Sequence, residues 1–260
     1  MCNEQRRRIA LDQIRNDWSQ TRIPLRFPEG LPNLAPLDSI RITDPNAIIR
    51  AAAPASSEAG ADAPPEQQPE SLQAGRPAAE LTESTGSGRP DPAAAPPAAG
   101  SKEGPHESTT FMGEAELIIR RWSWPGPGGK PVYNFRSDGR EFGNSARGGR
   151  CLIVADGFYE FTTPEVAPGQ PKPKRKHKWL FTKPGEEWFC IAGLWRATAE
   201  VGEAYTMLTC PPGPDVAPYH GRQVVVLDRA DWAAWLDDSN PAARFCRPLP
   251  AGTLAVEQVQ

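Results

Sequence analysis

Between Ala51 and Glu107 the chain is built almost entirely from Ala, Pro, Glu, Gly and Ser, and its only sizeable apolar side chains are Leu72 and Leu81. Such a segment cannot bury enough apolar surface to offset the entropy of ordering it. It predicts a disordered Ala/Pro/Glu-rich insert over residues 51–108, a tether of partly extended character. The insert separates two flanks, 1–50 and 109–260. Together they hold about 200 of the 260 residues, enough for one well-buried core. The flanks are therefore expected to be the N-terminal part and the remainder of a single domain.

The insert also hides the charge of that domain. The chain has 29 basic and 32 acidic residues, a formal net charge of −3. Nine of the acids and three of the bases lie between Ala51 and Ser108, so the flanks alone carry +3. A mildly basic globule with an acidic loop is compatible with a phosphate-bearing partner without requiring one. Five cysteines with no C-x-x-C spacing argue against a disulfide framework or a structural zinc site. Histidines at 106, 177 and 220 give no metal-ligand spacing, and neither a metal nor a cofactor is expected. No apolar run reaches the length of a membrane span and no secretory h-region opens the chain. A soluble, cytoplasmic protein with no membrane partner is the expectation.

The spacing of Leu11, Ile14 and Trp18 predicts an amphipathic helix over Arg7–Trp18, ended by Pro24 and Pro28. Alternation at Ile40 and Ile42 predicts a short strand over Ser39–Asp44. From Glu116 onward the chain is strand-rich, with runs at Leu117–Trp124, Cys151–Val154, Phe158–Phe161, Trp179–Thr182, Trp188–Trp195, Tyr205–Thr209 and Val224–Leu227. Turn signals such as Lys183-Pro184-Gly185 separate them. A later helix over Ala230–Leu236, capped by Asp228, would turn Trp232, Trp235 and Leu236 to the core. The fold class is α+β: one compact domain with a curved, mainly antiparallel, barrel-like sheet and few helices.

Cys2 is the first candidate for chemistry. Removal of Met1 would place a thiol and a free α-amine on one residue. The amine can condense with an aldehyde, and the thiol can then close a five-membered thiazolidine. Reference pKa values of about 7.7–8.0 for the amine and about 8.5 for the thiol suit such work near neutrality. Position alone leaves it open that a cysteine stands at residue 2 by accident. Asp156-Gly157-Phe158-Tyr159-Glu160 reads as a strand end, a tight turn and a second strand ending in a carboxylate. Flanked by Tyr159 and Phe161, Glu160 can be desolvated enough for acid–base work, though a solvent-facing Glu fits the alternation as well. His220 at a strand entrance can shuttle protons, with Arg222 two residues on to hold a phosphate; an ordinary loop histidine is equally consistent. Asn134 and Arg136 alternate at strand spacing and share a face, which suits an amide beside a phosphate-binding guanidinium or a structural pair. The cationic run Lys172–Lys178 reads as a solvated hairpin loop. Trp122 and Trp124, beside a Pro/Gly loop, are candidates for stacking on a base.

These pieces occur in a recognisable order. Met1-Cys2-Asn3, Asn33-Leu34-Ala35-Pro36, Arg121-Trp122 and Asn134-Phe135-Arg136-Ser137-Asp138 are followed by Arg150-Cys151-Leu152-Ile153-Val154-Ala155-Asp156-Gly157-Phe158-Tyr159-Glu160. Ala192-Gly193-Leu194-Trp195 and His220-Gly221-Arg222 complete the set. In these motifs the chain resembles the SRAP family, the SOS response-associated peptidases or abasic-site processing proteins. The resemblance implies a compact α+β domain around a curved antiparallel sheet. It implies that Cys2 joins covalently to an abasic site in single-stranded DNA, with Glu160 assisting sugar opening and His220 acting as general acid–base. It further implies that Asn134 holds Cys2 and the sugar, that Arg136 and Arg222 contact phosphates, and that Trp122 lies near the DNA path. The chain departs from many members at Asn3-Glu4-Gln5, where they carry Gly-Arg.

The expected activity is SRAP-type abasic-site processing in the DNA-damage response, with removal of Met1 at Met1-Cys2. The expected partner is single-stranded DNA containing abasic sites, bound by a monomer that is nucleoid-associated when on DNA. Two other readings use the same residues. In an N-terminal-nucleophile hydrolase the Cys2 thiol attacks an amide with its own amine as base. In a non-catalytic single-strand binder, Trp122 and the arginines hold DNA and Cys2 is dispensable.

Overall fold

Cys151-Leu152-Ile153-Val154-Ala155 has no polar residue to mark an outer face, and all five are fully buried in a central strand. The computed structural model describes residues 2–52, 111, 113–166, 173 and 175–260. In chain order the first strands are β1 (Glu4–Arg7), β2 (Leu25–Arg26), β3 (Leu37–Arg41), β4 (Pro45–Ala51) and β5 (Ala115–Trp122). Short β6 (Trp124–Pro125), β7 (Pro131–Val132) and β8 (Asn134–Arg136) precede the long β9 (Gly148–Ala155) and β10 (Gly157–Thr162). Then come β11 (His177–Thr182), β12 (Phe189–Thr198), β13 (Gly202–Cys210), β14 (Gln223–Val224), β15 (Val226–Leu227) and β16 (Ala255–Gln258). The helices are α1 (Leu11–Ser19) and α2 (Trp232–Leu236).

β13, β12, β9, β4 and β5 are hydrogen-bonded in that order. β5 then pairs in parallel with β13, with Ala204 opposite Arg121 and Tyr205 opposite Trp122. The result is a closed five-stranded barrel, which leaves no free edge in the ring. Along its strands alternate residues fall into two clusters. Ile48, Ile118, Ile153, Ile191 and Met207 belong to one. Ile49, Leu117, Leu152, Ala192 and Leu208 belong to the other, together with Trp18 of α1 and Trp232 and Trp235 of α2. A ring of five strands has no room for helices inside it, so the helix-covered set is the outer face and the first set fills the barrel. Gly193 is on the inner face, where a Cβ would stand 2.6 Å from Ile153 Cδ1 and 2.8 Å from the Thr206 carbonyl oxygen. A second sheet, ordered β16-β11-β10-β1-β3, carries the N-terminal strand.

The expected helix over Arg7–Trp18 is shorter, and Glu4–Arg7 is a strand instead. The reason is Arg7, whose buried guanidinium donates from Nε to Asn46 Oδ1 at 2.9 Å and from Nη2 to the Ala35 carbonyl at 3.1 Å. That bond also gives the Asn33-Leu34-Ala35-Pro36 motif a structural purpose. The strand expected over Ser39–Asp44 ends at Arg41, because Thr43 takes a left-handed φ of 83°. β4 was not anticipated: Ala47, Ile48 and Ile49 are all fully buried, so both faces are apolar and no alternation betrays the strand. Asp228 occupies the N-cap position of a 3-10 turn, Arg229–Asp231, that runs directly into α2 at Trp232, but its side chain makes no capping bond and accepts instead from Lys183 Nζ at 2.6 Å.

Ala51 pairs with Ala115, and the Ala52 amide donates to the Glu114 carbonyl at 2.7 Å. The chain therefore leaves and re-enters the fold at adjacent ends of the β4–β5 hairpin. Lengthening such a connection raises closure entropy only slowly and leaves the strand register intact. Beyond those ends, the expected insert at 51–108 lies outside the described residues. The flanks on either side belong to one folded unit. No helix among the described residues is long and apolar enough to cross a membrane.

Candidate functional site

Asp156 sets the position of the N-terminal strand. Its Oδ1 accepts from Arg6 Nε at 2.7 Å, its Oδ2 from the Arg8 amide at 3.0 Å, and its own amide donates to the Arg6 carbonyl at 3.0 Å. β1 then runs antiparallel along β10, with Arg6 opposite Gly157, Gln5 opposite Phe158 and Glu4 opposite Tyr159. On its other side Gly157 leaves room for β11, since a Cβ there would meet Leu180 Cδ1 at 2.8 Å and the Phe181 carbonyl oxygen at 3.2 Å. Inside the barrel Gln5 Nε2 donates to the Tyr205 hydroxyl at 2.7 Å. With β1 held at these points, Cys2 is carried to the Glu160 end of β10.

Cys2 is 1% exposed and packs with the barrel-filling cluster. Its carbonyl accepts from Asn134 Nδ2 at 2.7 Å, its thiol is 3.3 Å from the Glu4 carbonyl oxygen, and its backbone N–H donates to the Glu160 carboxylate. Asn134 reaches it from β8, which pairs in parallel with β13 at Met207. Three of the four expected catalytic residues thus meet around one backbone unit.

Burial pushes the Glu160 carboxyl up to about 7, against the opposing pull of the positive chain terminus and the Cys2 amide. Burial, followed by the negative charge of Glu160, holds the Cys2 thiol well above its ordinary range. The same thiol is therefore a neutral group at pH 7 rather than a preformed thiolate. His220 is lowered, chiefly by burial; its backbone contact with Arg222 opposes this and the positive terminus adds to it. His220 Nδ1 lies 2.9 Å from the Arg222 amide and 3.0 Å from the Arg222 carbonyl oxygen. The ring is gripped whether Nδ1 accepts or donates, so it can change protonation without turning.

The remaining candidates separate. Trp122 is fully buried inside the barrel, donates from Nε1 to the Tyr133 carbonyl at 2.8 Å and stacks on Tyr205 at 6.4 Å. Strand parity turns it inward, so its ring is not offered to a base, and Trp124, 5% exposed, is no better placed. Trp122→Ala is accordingly expected to cost about 3–5 kcal/mol of stability, read as a drop in the urea midpoint. A variant that weakened DNA binding at unchanged stability would restore the surface role. Arg136 is exposed at the end of β8. Arg222 is committed: its Nη2 is 2.6 Å from Asp138 Oδ2 and 2.6 Å from the Thr209 carbonyl oxygen. Glu4 is buried against Lys178, whose Nζ is 2.5 Å away. Lys178 is thereby withdrawn from the cationic run, while Lys172 and Lys174 lie outside the described residues.

Sequence reasoning passed over Asp156 as a positioning group, because its partners Arg6 and Arg8 are some 150 positions distant and no local pattern joins them. All five cysteines are free. Among the described residues no group of three His, Cys, Asp or Glu side chains is gathered as a metal site.

The family model for SOS response associated peptidase (SRAP) matches residues 120–260. That span includes Asn134, Glu160 and His220; Cys2 precedes it. A crystal structure of a protein from Bordetella bronchiseptica is 18% identical, with a TM-score of 0.56 and all of both chains covered. A phage-related protein from the same organism is 15% identical, with a TM-score of 0.54, covering 100% of this chain and 94% of the other. At such identities these likenesses speak for the fold alone. No curated protein matches the chain. With the family's motifs gathered around Glu160 in a barrel that these structures share, and its model spanning more than half of the residues, the chain belongs to the SRAP family.

Proposed function

We propose that this chain, once Met1 is removed, captures the aldehyde of an abasic site in single-stranded DNA and holds it as a thiazolidine on Cys2. The SRAP family is associated with DNA damage and abasic-site processing; the covalent step is our reading. The observation that carries it is the Cys2 nitrogen directed at the Glu160 carboxylate. In the processed chain that nitrogen is the α-amine, so the nucleophile and a carboxyl raised by burial share one hydrogen bond.

The chemistry follows from these groups. The neutral amine adds to C1′ of the opened sugar to give a carbinolamine. Protonated Glu160 delivers its proton to the departing hydroxyl, water leaves, and an imine forms. The Cys2 thiol then adds to the imine carbon; its proton passes to a local base and the ring nitrogen takes one up. Two bonds to carbon form, and one water is released overall. Asn134, holding the Cys2 carbonyl, restrains the residue through both steps and makes the second one intramolecular. His220 serves as a second proton carrier, held in place in either protonation state. Arg136 is the cation we assign to a phosphate. Arg222 supports it indirectly, by tethering Asp138. No cofactor or partner chain is needed, and the reading is of a cytoplasmic monomer that meets DNA when damage exposes it. Removal of Met1 by the chain itself is part of the same proposal.

A denaturing gel tests the reading. Protein verified by mass to begin at Cys2 is mixed with a single-stranded oligonucleotide bearing one abasic site, beside an intact-base control. A heat-stable shifted band is expected only with the abasic strand, and none with protein retaining Met1, whose residue 2 nitrogen is an amide. Absence of the band from the processed protein would overturn the proposal and turn attention to amide hydrolysis.

A further inference from the structure

A row of touching rings leads from the core to the surface beside Glu160. Phe158 and Phe181, both fully buried, stack at 4.9 Å; Phe181 meets Tyr219 at 5.4 Å, and Tyr219 meets Trp179 at 4.7 Å. Trp179 and Tyr219 are only partly buried. Trp179 stands directly opposite Glu160 in the β10–β11 ladder, so the two side chains leave the sheet on the same face about 5 Å apart. Tyr219 immediately precedes His220, and its amide is held by the Val216 carbonyl at 2.9 Å. The indole is fixed in its own plane by Nε1, which donates to Thr162 Oγ1 at 2.8 Å. Arg175 and Lys176, exposed cations, lie just ahead of this strand.

We propose that Trp179, backed by Tyr219, is the platform on which the base neighbouring the abasic nucleotide stacks. This rests on the function proposed above and names how the strand is recognised. An abasic nucleotide has no ring of its own to grip, so affinity and placement must come from its neighbours. An unpaired neighbour presents a π-face, and stacking on an aromatic side chain tolerates any base. A pre-fixed indole gives that contact with little loss of freedom, and its position opposite Glu160 sets the next sugar along at the reactive nitrogen. The inward-facing Trp122 cannot do this; Trp179 takes the place that sequence order assigned to it.

The test separates binding from chemistry. Equilibrium binding is measured by anisotropy on single strands carrying a non-reactive tetrahydrofuran abasic analogue. In one strand its neighbours are ordinary nucleotides; in the other the neighbours are baseless too. Trp179→Ala is expected to weaken binding of the first strand by roughly 5- to 100-fold and to leave the second within about 2-fold, while Trp179→Phe recovers part of the loss. Equal loss on both strands would mark a purely structural role, and no loss on either would remove the platform; both outcomes overturn the inference. Melting curves of the two variants accompany the titrations, and the Phe variant carries the decision if the Ala variant melts early. Crosslinking of a reactive abasic strand by the unsubstituted protein is scored in parallel. Its failure would strike the proposed function, whereas an unchanged Trp179→Ala titration would strike only the platform.

Discussion

Cys2→Ala should abolish the heat-stable adduct while preserving an imine that borohydride can trap. Alanine at position 2 still presents an α-amine in variant protein prepared without Met1 and verified by mass to begin at residue 2, so condensation with the aldehyde remains possible. What disappears is the thiol that closes the ring. An imine in water reverts, whereas a thiol on the same residue attacks it at an effective concentration far above any free thiol. We expect the heat-stable band to fall below roughly 1% of that formed by the unsubstituted protein, with the reductively trapped band reduced far less. The burial that keeps the thiol protonated is consistent with this order of events, since a neutral thiol waits until the imine has formed. A persistent heat-stable band in Cys2→Ala would place the nucleophile elsewhere, and loss of both bands would mean that the amine had not been positioned by β1.

Glu160→Gln should slow adduct formation by about 100- to 10,000-fold and flatten its dependence on pH. A carboxyl held at about 7 is present in both forms at neutrality, so it can give a proton in the dehydration and receive one when the thiol adds. Glutamine keeps the shape and a hydrogen bond but can do neither. Single-turnover rates between pH 5.5 and 8.5 should show an inflection near 7 that is missing in the variant; an inflection that survived would belong to another group.

The same carboxyl predicts a gain in stability. Folded Glu160 keeps its proton up to about 7, while the unfolded group, with an ordinary value of 4.5, loses it earlier. Between those values the folded state binds more protons, so stability falls as pH rises through the window and the penalty is complete above pH 7. It amounts to about 3 kcal/mol. Glu160→Gln should therefore be more stable than the unsubstituted protein at pH 8, by urea unfolding, with most of the difference gone at pH 5. A group that costs stability where it is buried and charged, yet is kept there, fits a catalytic demand.

Much of this fold was legible along the chain because most of its strands are short runs of apolar, aromatic and β-branched residues bounded by turn signals. Residues 117–122, 177–182 and 202–210 were found for that reason, with ends displaced by a few positions. β4 was hidden because its apolar run, Ala47-Ile48-Ile49, is short and passes without a turn signal into the Ala-rich insert. α1 lost its first turn to a buried guanidinium at Arg7 whose partners, Asn46 and Ala35, lie 39 and 28 positions away. No window of sequence contains such a bond.

By itself the sequence determined the chemistry available to this protein: an aminothiol at Cys2, a carboxylate between aromatic neighbours at Glu160, an amide at Asn134, and a flank pair able to make one core. Those are properties of residue type and order, and they hold whatever the chain's path. Only the tertiary structure decided who meets whom. Closure of β5 on β13 turned Trp122 inward, Asp138 engaged Arg222, and the β10–β11 register set Trp179 opposite Glu160. Each of these depends on pairing between segments far apart in the chain, where a shift of one residue moves a side chain to the opposite face. That choice is made by packing the whole barrel at once.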